Sequence, residues 1–364
     1  MRWSLVLLVT IGVVMVLVLI VGGLRLESAA STERFIKKWF RNDNGTLATY
    51  IVDGDVVDND LVKGREALAE TIGLWMEYAL EKKDRDLFDE SYTLLQQYFL
   101  QEDGHIPWKL TESGDYHVHT NALVDDLRIV SGLYRAYEIW GVEGYRQAGD
   151  QIGRYLDNCC KNGSIFADFY ERKHNYVSDT ITLSYIEPQS LMALRTREVL
   201  ETESVTNTLD LLKNAPQENG FYPKSYHITL AHYEFEEQVN MIDQGLVVFY
   251  QSLLGNQSEE YHQFIKQEMD RHGRVYGVYN RLTKEPAVNY ESPAVYGILI
   301  WYSLEIGDAS LAKDLYERMV RFKNKNPISR YAGGYTVDST GNTHIFDNLV
   351  PLLAEVKLLQ QAKQ

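Results

Sequence analysis

Residues 103–140 read DGHIPWKLTESGDYHVHTNALVDDLRIVSGLYRAYEIW and contain the unit from which the fold follows. The unit begins with a polar residue and Gly104, Trp108 follows within a few positions, and a helical pattern then covers residues 121–140. The same order of polar residue, glycine, aromatic residue and helix recurs along the chain. We therefore interpret the sequence as a structural repeat.

The repeat occurs six times. Its glycine turns are Asn44-Gly45, Asp103-Gly104, Asn162-Gly163, Asn219-Gly220, His272-Gly273 and Gly333-Gly334. Apolar spacing predicts twelve helices, near residues 32–41, 65–83, 85–101, 121–140, 142–161, 187–201, 203–214, 240–254, 257–271, 293–306, 308–323 and 344–361.

Six helix pairs, each joined to the next by a glycine turn and a short extended aromatic segment, predict an all-α fold. We expect an (α/α)6 barrel, in which six inner helices alternate with six outer ones. An open solenoid would need atypical capping repeats, and neither end of the sequence resembles one. The aromatic segments are expected to collect at one rim and to form the walls of a groove.

A segment without charged residues runs from Trp3 to Leu24. As a helix it would be roughly 33 Å long, enough to span a bilayer and longer than the apolar part of most cleavable signals. We predict a membrane anchor over residues 1–26 and one barrel domain over residues 27–364. Cleavage after Ala29-Ala30 remains an alternative, and no cysteine follows the segment closely enough to predict a lipid anchor.

The charges around this segment bear on its orientation. Only Arg2 precedes it, whereas the cations that follow are Arg25, Arg34, Lys37, Lys38 and Arg41. Taken literally, this bias would keep the body of the protein inside the cell. Because the later cations fall in a predicted folded helix, and because the function inferred below needs an outside location, we predict an extracellular body.

Composition excludes several classes of function. The 364 residues include 36 Lys and Arg against 51 Asp and Glu, a net charge of −15, and no basic run that could bind nucleic acid. There is no phosphate-binding loop, nucleophile elbow or zinc motif, so we predict no cofactor and no metal. The adjacent Cys159 and Cys160 predict no disulfide framework. His117 and His119 would share one face of an extended segment, but no third metal ligand is evident.

Three acidic residues have apolar neighbours and also lie near the start of a predicted helix: Glu70, Asp126 and Asp243. The macrodipole alone favours an acid in a first helical turn, so each could be structural. All three, however, begin alternate helices of the predicted repeat. If those are inner helices, the three carboxylates converge on one rim.

Around these acids the sequence resembles glycoside hydrolase family 8. Ala69–Met76 resembles the family's Ser-Glu-Gly-x-Gly-x-Gly-Met segment, Ala122–Val130 its Ala-x-Asp-x-Asp-x-x-Ile-Ala segment, and Ile242–Leu246 its Tyr-Asp-Ala-x-Arg segment. Leu246 stands where the family has Arg, and Val124 where it has the first acid. The resemblance is strongest to membrane-anchored members of the PssZ type, found with exopolysaccharide synthesis systems.

The resemblance implies an inverting, endo-acting hydrolase of an exopolysaccharide. Glu70 would be the general acid and Asp243 the general base, with about 6.5 to 9.5 Å between the two carboxyl groups to admit water. Asp126 would bind the distorted sugar and assist Glu70. The predicted substrate-binding residues are Trp75, Trp108, Asp125, Tyr185, Tyr276 and Tyr279. The predicted partners are the polysaccharide, the membrane and the synthesis machinery.

Two alternatives remain open. Leu246 and Val124 would also suit a polysaccharide-binding protein that has lost its chemistry. Another (α/α)6 enzyme is the second alternative: an epimerase could use His117 and His119, and an unsaturated uronyl hydrolase would want a basic groove. The acidic composition disfavours the latter.

Overall fold

The computed structural model describes residues 28–55, 57–58 and 61–361. The membrane helix predicted between Trp3 and Leu24, and with it the predicted anchor 1–26, lies outside these residues. Within them, no helix combines the length and the apolar character that crossing a membrane requires.

The helices follow the predicted pattern closely. Those within the described residues are α1 (28–39), α2 (Ala69–Lys82), α3 (Arg85–Leu94), α4 (Leu123–Trp140), α5 (Glu143–Cys159), α6 (Pro188–Thr196), α7 (Thr202–Lys213), α8 (Met241–Leu253), α9 (Glu259–His272), α10 (Pro293–Glu305), α11 (Ala309–Met319) and α12 (Phe346–Gln361). A π-helical turn, Leu95–Phe99, continues α3.

The larger differences from the predicted bounds have local causes. α2 begins four residues later than predicted because Ala67 and Leu68 form a strand with Lys109 and Leu110. α6 ends at Thr196 rather than near 201, since Glu198 adopts a φ of 57° and turns the chain.

The even-numbered helices form a closed inner ring. Each contacts the next even-numbered helix, and α12 returns to contact α2. The odd-numbered helices pack outside, as α5 does on α4 and α11 on α10. Burial agrees with this arrangement, because α10 is buried on every face from Pro293 to Ser303, whereas the outer helix α9 buries a single stripe. The predicted (α/α)6 barrel is therefore confirmed.

A buried ionic cluster joins the first helix to the last. Lys323 and Glu355 have side-chain exposures of 4% and 0%, and their charged atoms are 3.1 Å apart. Ser28, at the start of α1, donates a hydrogen bond of 2.8 Å to Glu355, and so does Tyr335. Removing one member of such a cluster would leave a buried charge unpaired, so the cluster fixes the junction where the ring closes.

The cations near the start of the body belong to folded structure. Lys37 forms an ion pair with Glu33 inside α1, and Arg41 forms one with Glu90 of α3. Lys37 therefore lies in a folded helix, as predicted, whereas Arg41 lies just past the end of α1.

Each of the six predicted glycine turns leads from an outer helix to an inner one. The first glycine of each turn has a φ between 61° and 96°, in the left-handed region that glycine enters without steric cost. At Gly104 a side chain would also collide, since a Cβ atom there would stand 2.5 Å from the carbonyl oxygen of Gln151. The repeat seen in the sequence is thus a repeat of backbone geometry.

We use "the rim" for the six long connections that contain these turns, which are the described residues of 40–68, 100–122, 160–187, 214–240, 273–292 and 320–345. All strands within the described residues lie in the rim: β1 (Ala67–Leu68), β2 (Lys109–Leu110), β3 (Lys161–Asn162), β4 (Ile165–Phe166), β5 (Tyr170–Glu171), β6 (Tyr176–Val177), β7 (Thr180–Thr182), β8 (Ser225–His227), β9 (His232–Glu234), β10 (Gln238–Asn240) and β11 (Val278–Asn280).

Strand pairing links neighbouring rim connections to one another. Antiparallel pairs join β1 to β2, β7 to β8 and β10 to β11. Single bridges add Thr120 to Glu171 and Tyr50 to His344. These links hold the rim in place around the first turns of the inner helices.

Candidate active site

An open cleft with a volume of about 760 Å³ lies inside the rim. Residues at the starts of the inner helices α2, α4, α8, α10 and α12 line it, together with residues of the rim connections. Because all inner helices begin at the rim, the positive ends of their macrodipoles face the cleft. The expectation that the rim segments wall a groove is confirmed.

Glu70 and Asp125 lie side by side in this cleft. Glu70 is in the first turn of α2, with its side chain 27% exposed, and its backbone N–H donates to the carboxylate of Asp125 in the first turn of α4. Arg128, one turn further along α4, places Nη1 3.3 Å from Asp125 Oδ1 and 3.8 Å from Glu70 Oε1. One guanidinium group therefore contacts both carboxylates.

This arrangement changes the proton affinity of Asp125. Burial, and next the negative charge of Glu70, raise the pKa of Asp125 to about 7, against the opposing effect of Arg128. Two close carboxyl groups cannot both ionise freely, so the pair can retain a proton near neutral pH. A retained proton is what a general acid requires.

Asp126 does not line the cleft. It is 1% exposed, and its Oδ2 accepts a hydrogen bond of 2.6 Å from Asn121, whose amide also contacts Cys160. Burial raises the pKa of Asp126 well above its usual range. Adjacent residues of a helix point about 100° apart, so only one of the two neighbouring acids can face the cleft, and it is Asp125. The role predicted for Asp126 therefore fits Asp125 instead.

Exchanging each acid for its amide tests this reassignment. We expect Asp125→Asn to lower kcat/KM about 10- to 100-fold, because a charge-assisted contact with Arg128 is lost in the cleft. Asp126→Asn should leave kcat/KM within about threefold of wild type, since Asp126 does not line the cleft and the amide oxygen can still accept the hydrogen bond from Asn121. Kinetics on a cleaved polysaccharide, with thermal unfolding of both variants, would measure this. A larger loss for Asp126→Asn would restore the sequence-based prediction.

Asp243 lies on α8 in the same cleft, with its side chain 17% exposed. Ser184 donates a hydrogen bond of 2.7 Å to Oδ1, and the Lys224 ammonium group is ion-paired with Oδ2. Each carboxylate oxygen has two acceptor sites, so this environment leaves capacity for a further hydrogen bond. Leu246 lines the cleft one turn further along α8.

Of the predicted aromatic residues, the structure brings two to the cleft. Trp108 and Tyr185 line it, and the Tyr185 hydroxyl lies within electrostatic range of four carboxylates. Its pKa is raised first by burial and then by the charges of Asp125, Asp168, Asp243 and Glu70. Tyr185 therefore stands among the acidic groups of the site.

The other three aromatic residues pack elsewhere, which corrects their assignment as sugar-binding residues. Trp75 is 5% exposed and stacks on Tyr78, and it shares a small cavity with residues of the outer helices α1 and α3. Tyr279 is fully buried and donates a hydrogen bond of 2.6 Å to Glu268. Tyr276 is half-buried, donates a hydrogen bond from its backbone N–H to the hydroxyl of Tyr279, and does not line the cleft.

Several residues of the cleft were not predicted from the sequence. Asp168, Lys224 and Ser184 lie on rim connections, where no helical periodicity marks them. Burial raises the pKa of Asp168 to about 6, opposed by hydrogen bonds from Thr182. Asp347 could have been found, because it too is an acid with apolar neighbours in the first turn of an inner helix.

The cleft is acidic, with two fixed cations. Its described lining contains the side chains of Arg128 and Lys224 and the carboxylates Glu70, Asp125, Asp168, Asp243 and Asp347. This surplus favours a neutral or cationic ligand over an acidic one. Among the described residues, no group of three or more His, Cys, Asp or Glu side chains is arranged to hold a metal ion.

Neither cysteine nor the histidine pair contributes to the cleft. Cys159 and Cys160 are free thiols, and Cys160 is buried. His117 and His119 are exposed and do not line the cleft. The epimerase alternative, which would use this pair, therefore has no support from the geometry.

Comparison with curated proteins identifies a sequence relative. The chain is 35% identical over 330 residues to a Bacillus subtilis (strain 168) protein described as "Putative lipoprotein YdaJ", an overlap of 90% of this chain and 87% of the relative. No family model matches the chain.

Solved structures share the fold over nearly the whole chain. A novel alpha-amylase from Clostridium perfringens has a TM-score of 0.82 at 23% identity, covering 91% of this chain and 97% of its own. PssZ from Listeria monocytogenes has a TM-score of 0.72 at 27% identity, covering 89% and 94%. The endoglucanase Cel10 from Klebsiella pneumoniae, a family 8 glycosyl hydrolase, has a TM-score of 0.61 at 17% identity, covering 92% and 100%. The fold is that of the family 8 enzymes and resembles PssZ.

Proposed function

This chain belongs to the family of YdaJ and has the fold of the family 8 glycosyl hydrolases, and from that premise we propose that it is a glycoside hydrolase acting within polysaccharide chains. The observation that carries the proposal is the placement of Glu70 and Asp243. They lie on non-neighbouring inner helices in one open cleft, and each has its own cationic partner. Two separated carboxylates with different surroundings are what acid and base catalysis of glycoside hydrolysis requires.

The proposed reaction inverts the configuration at the anomeric carbon. Glu70 donates a proton to the glycosidic oxygen as its bond to the anomeric carbon breaks. Asp243 accepts a proton from a water molecule, whose oxygen forms the new bond on the opposite face of the sugar. The products are two shorter chains, and solvent restores both carboxyl groups.

In this mechanism Asp125 takes the role that the sequence assigned to Asp126. Its carboxyl group lies beside Glu70 and shares Arg128 with it, so it can bind the hydroxyl groups of the sugar and retain a proton near the acid. Tyr185, which is surrounded by the acids, is placed to donate a hydrogen bond to the same sugar.

An aromatic pair supports a polymeric substrate. Phe169 lines the cleft, and its ring centroid is 6.1 Å from that of Tyr176, which is 46% exposed. Phe169 directly precedes β5 and Tyr176 begins β6, so the two rings lie on one face of that hairpin. The apolar wall of the cleft thus continues to the surface, as binding a chain of sugars would require. An exposed rim of this kind suits cleavage inside a chain.

We further propose that the polysaccharide is an exopolysaccharide and that the protein works at the outer face of the membrane. Two observations support this location: the uncharged segment from Trp3 to Leu24, and the description of the relative YdaJ as a lipoprotein. The acidic cleft favours a neutral or amino-sugar polymer over a polymer of uronic acids.

Product analysis on a panel of polysaccharides tests the proposed function. The panel contains starch, xylan, carboxymethyl cellulose, chitosan and the exopolysaccharide of the source organism. We expect reducing ends to appear from at least one of them, with a rapid fall in chain length, and NMR of the first product to show inverted anomeric configuration. Binding of a polymer without product release would instead support the non-catalytic alternative. Retained configuration would contradict the assigned roles.

A further inference from the structure

We propose that Lys224 is the residue that positions Asp243 and balances its negative charge during the reaction. This inference rests on the proposed function, because it concerns the general base of that reaction. Lys224 lies in the rim just before β8, outside every segment that the resemblance to family 8 covers. Its ammonium group is ion-paired with Asp243 Oδ2, across 19 residues of sequence.

The ion pair is partly buried. The exposures of the two side chains are 35% for Lys224 and 17% for Asp243, and both line the cleft. Within such a cleft, water screens a pair of charges less than it does at a free surface. A fixed cation beside a carboxylate favours its ionised form, which is the form that accepts a proton from water.

Several other polar groups lie around the base. The carboxyl of Asp168 and the hydroxyl of Tyr185 both lie within electrostatic range of Asp243, while Ser184 donates to Oδ1. Asp168 also contributes, with Asp243 and Glu236, to raising the pKa of Lys224 against the effect of burial. Lys224 is thus the described cation that offsets the negative charge on this side of the cleft.

A purely structural role can be separated from this one. The backbone of Lys224 is already held, because its N–H donates to the carbonyl of Glu234 and its carbonyl accepts from the N–H of Leu183. These bonds anchor the segment without the side chain. Removing the ammonium group should therefore alter the electrostatic surroundings of Asp243 and leave the rim in place.

The helix that carries Asp243 offers a second place for a cation. Leu246 is three residues further along α8 and lines the cleft, and residues three apart in a helix are neighbours on one face. An arginine at position 246 could therefore reach the carboxylate of Asp243. This allows a test in which the same charge is restored from a different residue.

The experiment uses three variants: Lys224→Met, Lys224→Arg, and a double variant that combines Lys224→Met with Leu246→Arg. Each is assayed beside the wild type on a polysaccharide that the wild type cleaves. We expect Lys224→Met to lower kcat about 10- to 100-fold, the effect of losing one charge-assisted hydrogen bond. The acidic limb of its pH profile should move up by about one unit or more, because the base has lost an opposite charge. Lys224→Arg and the double variant should recover most of kcat and return the acidic limb toward its original pH.

Lys284→Met serves as the matched control. Lys284 forms an ion pair of 3.2 Å with Glu260 at the rim and does not line the cleft, so its loss should change neither kcat nor the pH profile. An unchanged acidic limb in Lys224→Met, or a loss of activity explained entirely by unfolding and not relieved in the double variant, would overturn the role of Lys224. An inactive wild type would instead overturn the proposed function.

Discussion

Replacing Glu70 by Gln is expected to lower kcat on a polysaccharide by roughly 10³-fold, within the range of about 10² to 10⁴ that general acid catalysis contributes. The amide keeps the shape of the side chain but has no acidic proton for the leaving oxygen. Because the contacts of α2 and α4 stay in place, substrate binding should be retained. The variant would be measured by reducing-sugar release and by its retardation in a gel that contains the polymer.

The leaving group distinguishes the loss of an acid from a general loss of activity. An activated aryl glycoside of the same sugar, with a phenol that leaves as an anion, needs no proton. The Glu70→Gln variant should therefore cleave it almost as fast as the wild type does. Glu77→Gln is the matched control, since Glu77 lies on the same helix two turns further on, where it pairs with Lys357. If Glu70→Gln is equally slow on both substrates, Glu70 is not the acid.

Replacing Asp243 by Asn should cause a loss of similar size, because the amide keeps the contacts with Ser184 but cannot accept a proton from the attacking water. The smaller Asp243→Ala variant leaves space at the same position. Azide can enter that space and attack the anomeric carbon without giving up a proton. We expect azide to restore turnover and to yield a glycosyl azide of inverted configuration, which NMR would identify.

Asp86→Asn controls for the loss of an acid from a first helical turn. Asp86 is exposed in the first turn of α3, where it can interact with the macrodipole but not with the cleft. Its replacement should leave kcat unchanged. Full activity of Asp243→Asn, or a glycosyl azide of retained configuration, would remove Asp243 from the role of base.

The fold could be predicted because its determinants are local. Helical periodicity and six glycine turns are visible within windows of a few residues, and the structure uses each of those glycines at a positive φ. The prediction that the ring closes followed from the number of helix pairs, which is six. Helix ends were predicted less well where a distant partner decides them, as when pairing with Lys109 and Leu110 delays the start of α2.

The acidic residues of the cleft could be predicted only where they lie on helices. Glu70 and Asp243 were found because an acid among apolar residues at a helix start is visible in the sequence. The choice between Asp125 and Asp126 depends on the rotation of α4 about its own axis. An error of one residue in that rotation exchanges the two side chains at the cleft. Ser184 reaches Asp243 across 59 residues, and no local pattern in the sequence indicates a contact of that span.

The contact between α2 and α12 has a consequence for how the protein is made. α2 ends at Lys82 and its ring neighbour α12 begins at Phe346, so much of the chain must leave the ribosome between them. At about 5 to 20 residues per second, one flank of α2 waits roughly 15 to 50 s for its partner. During that time the nascent barrel is an open arc with exposed apolar edges. Synthesis of α12 therefore completes the ring, and until then the apolar edges of the arc are exposed to association with other chains.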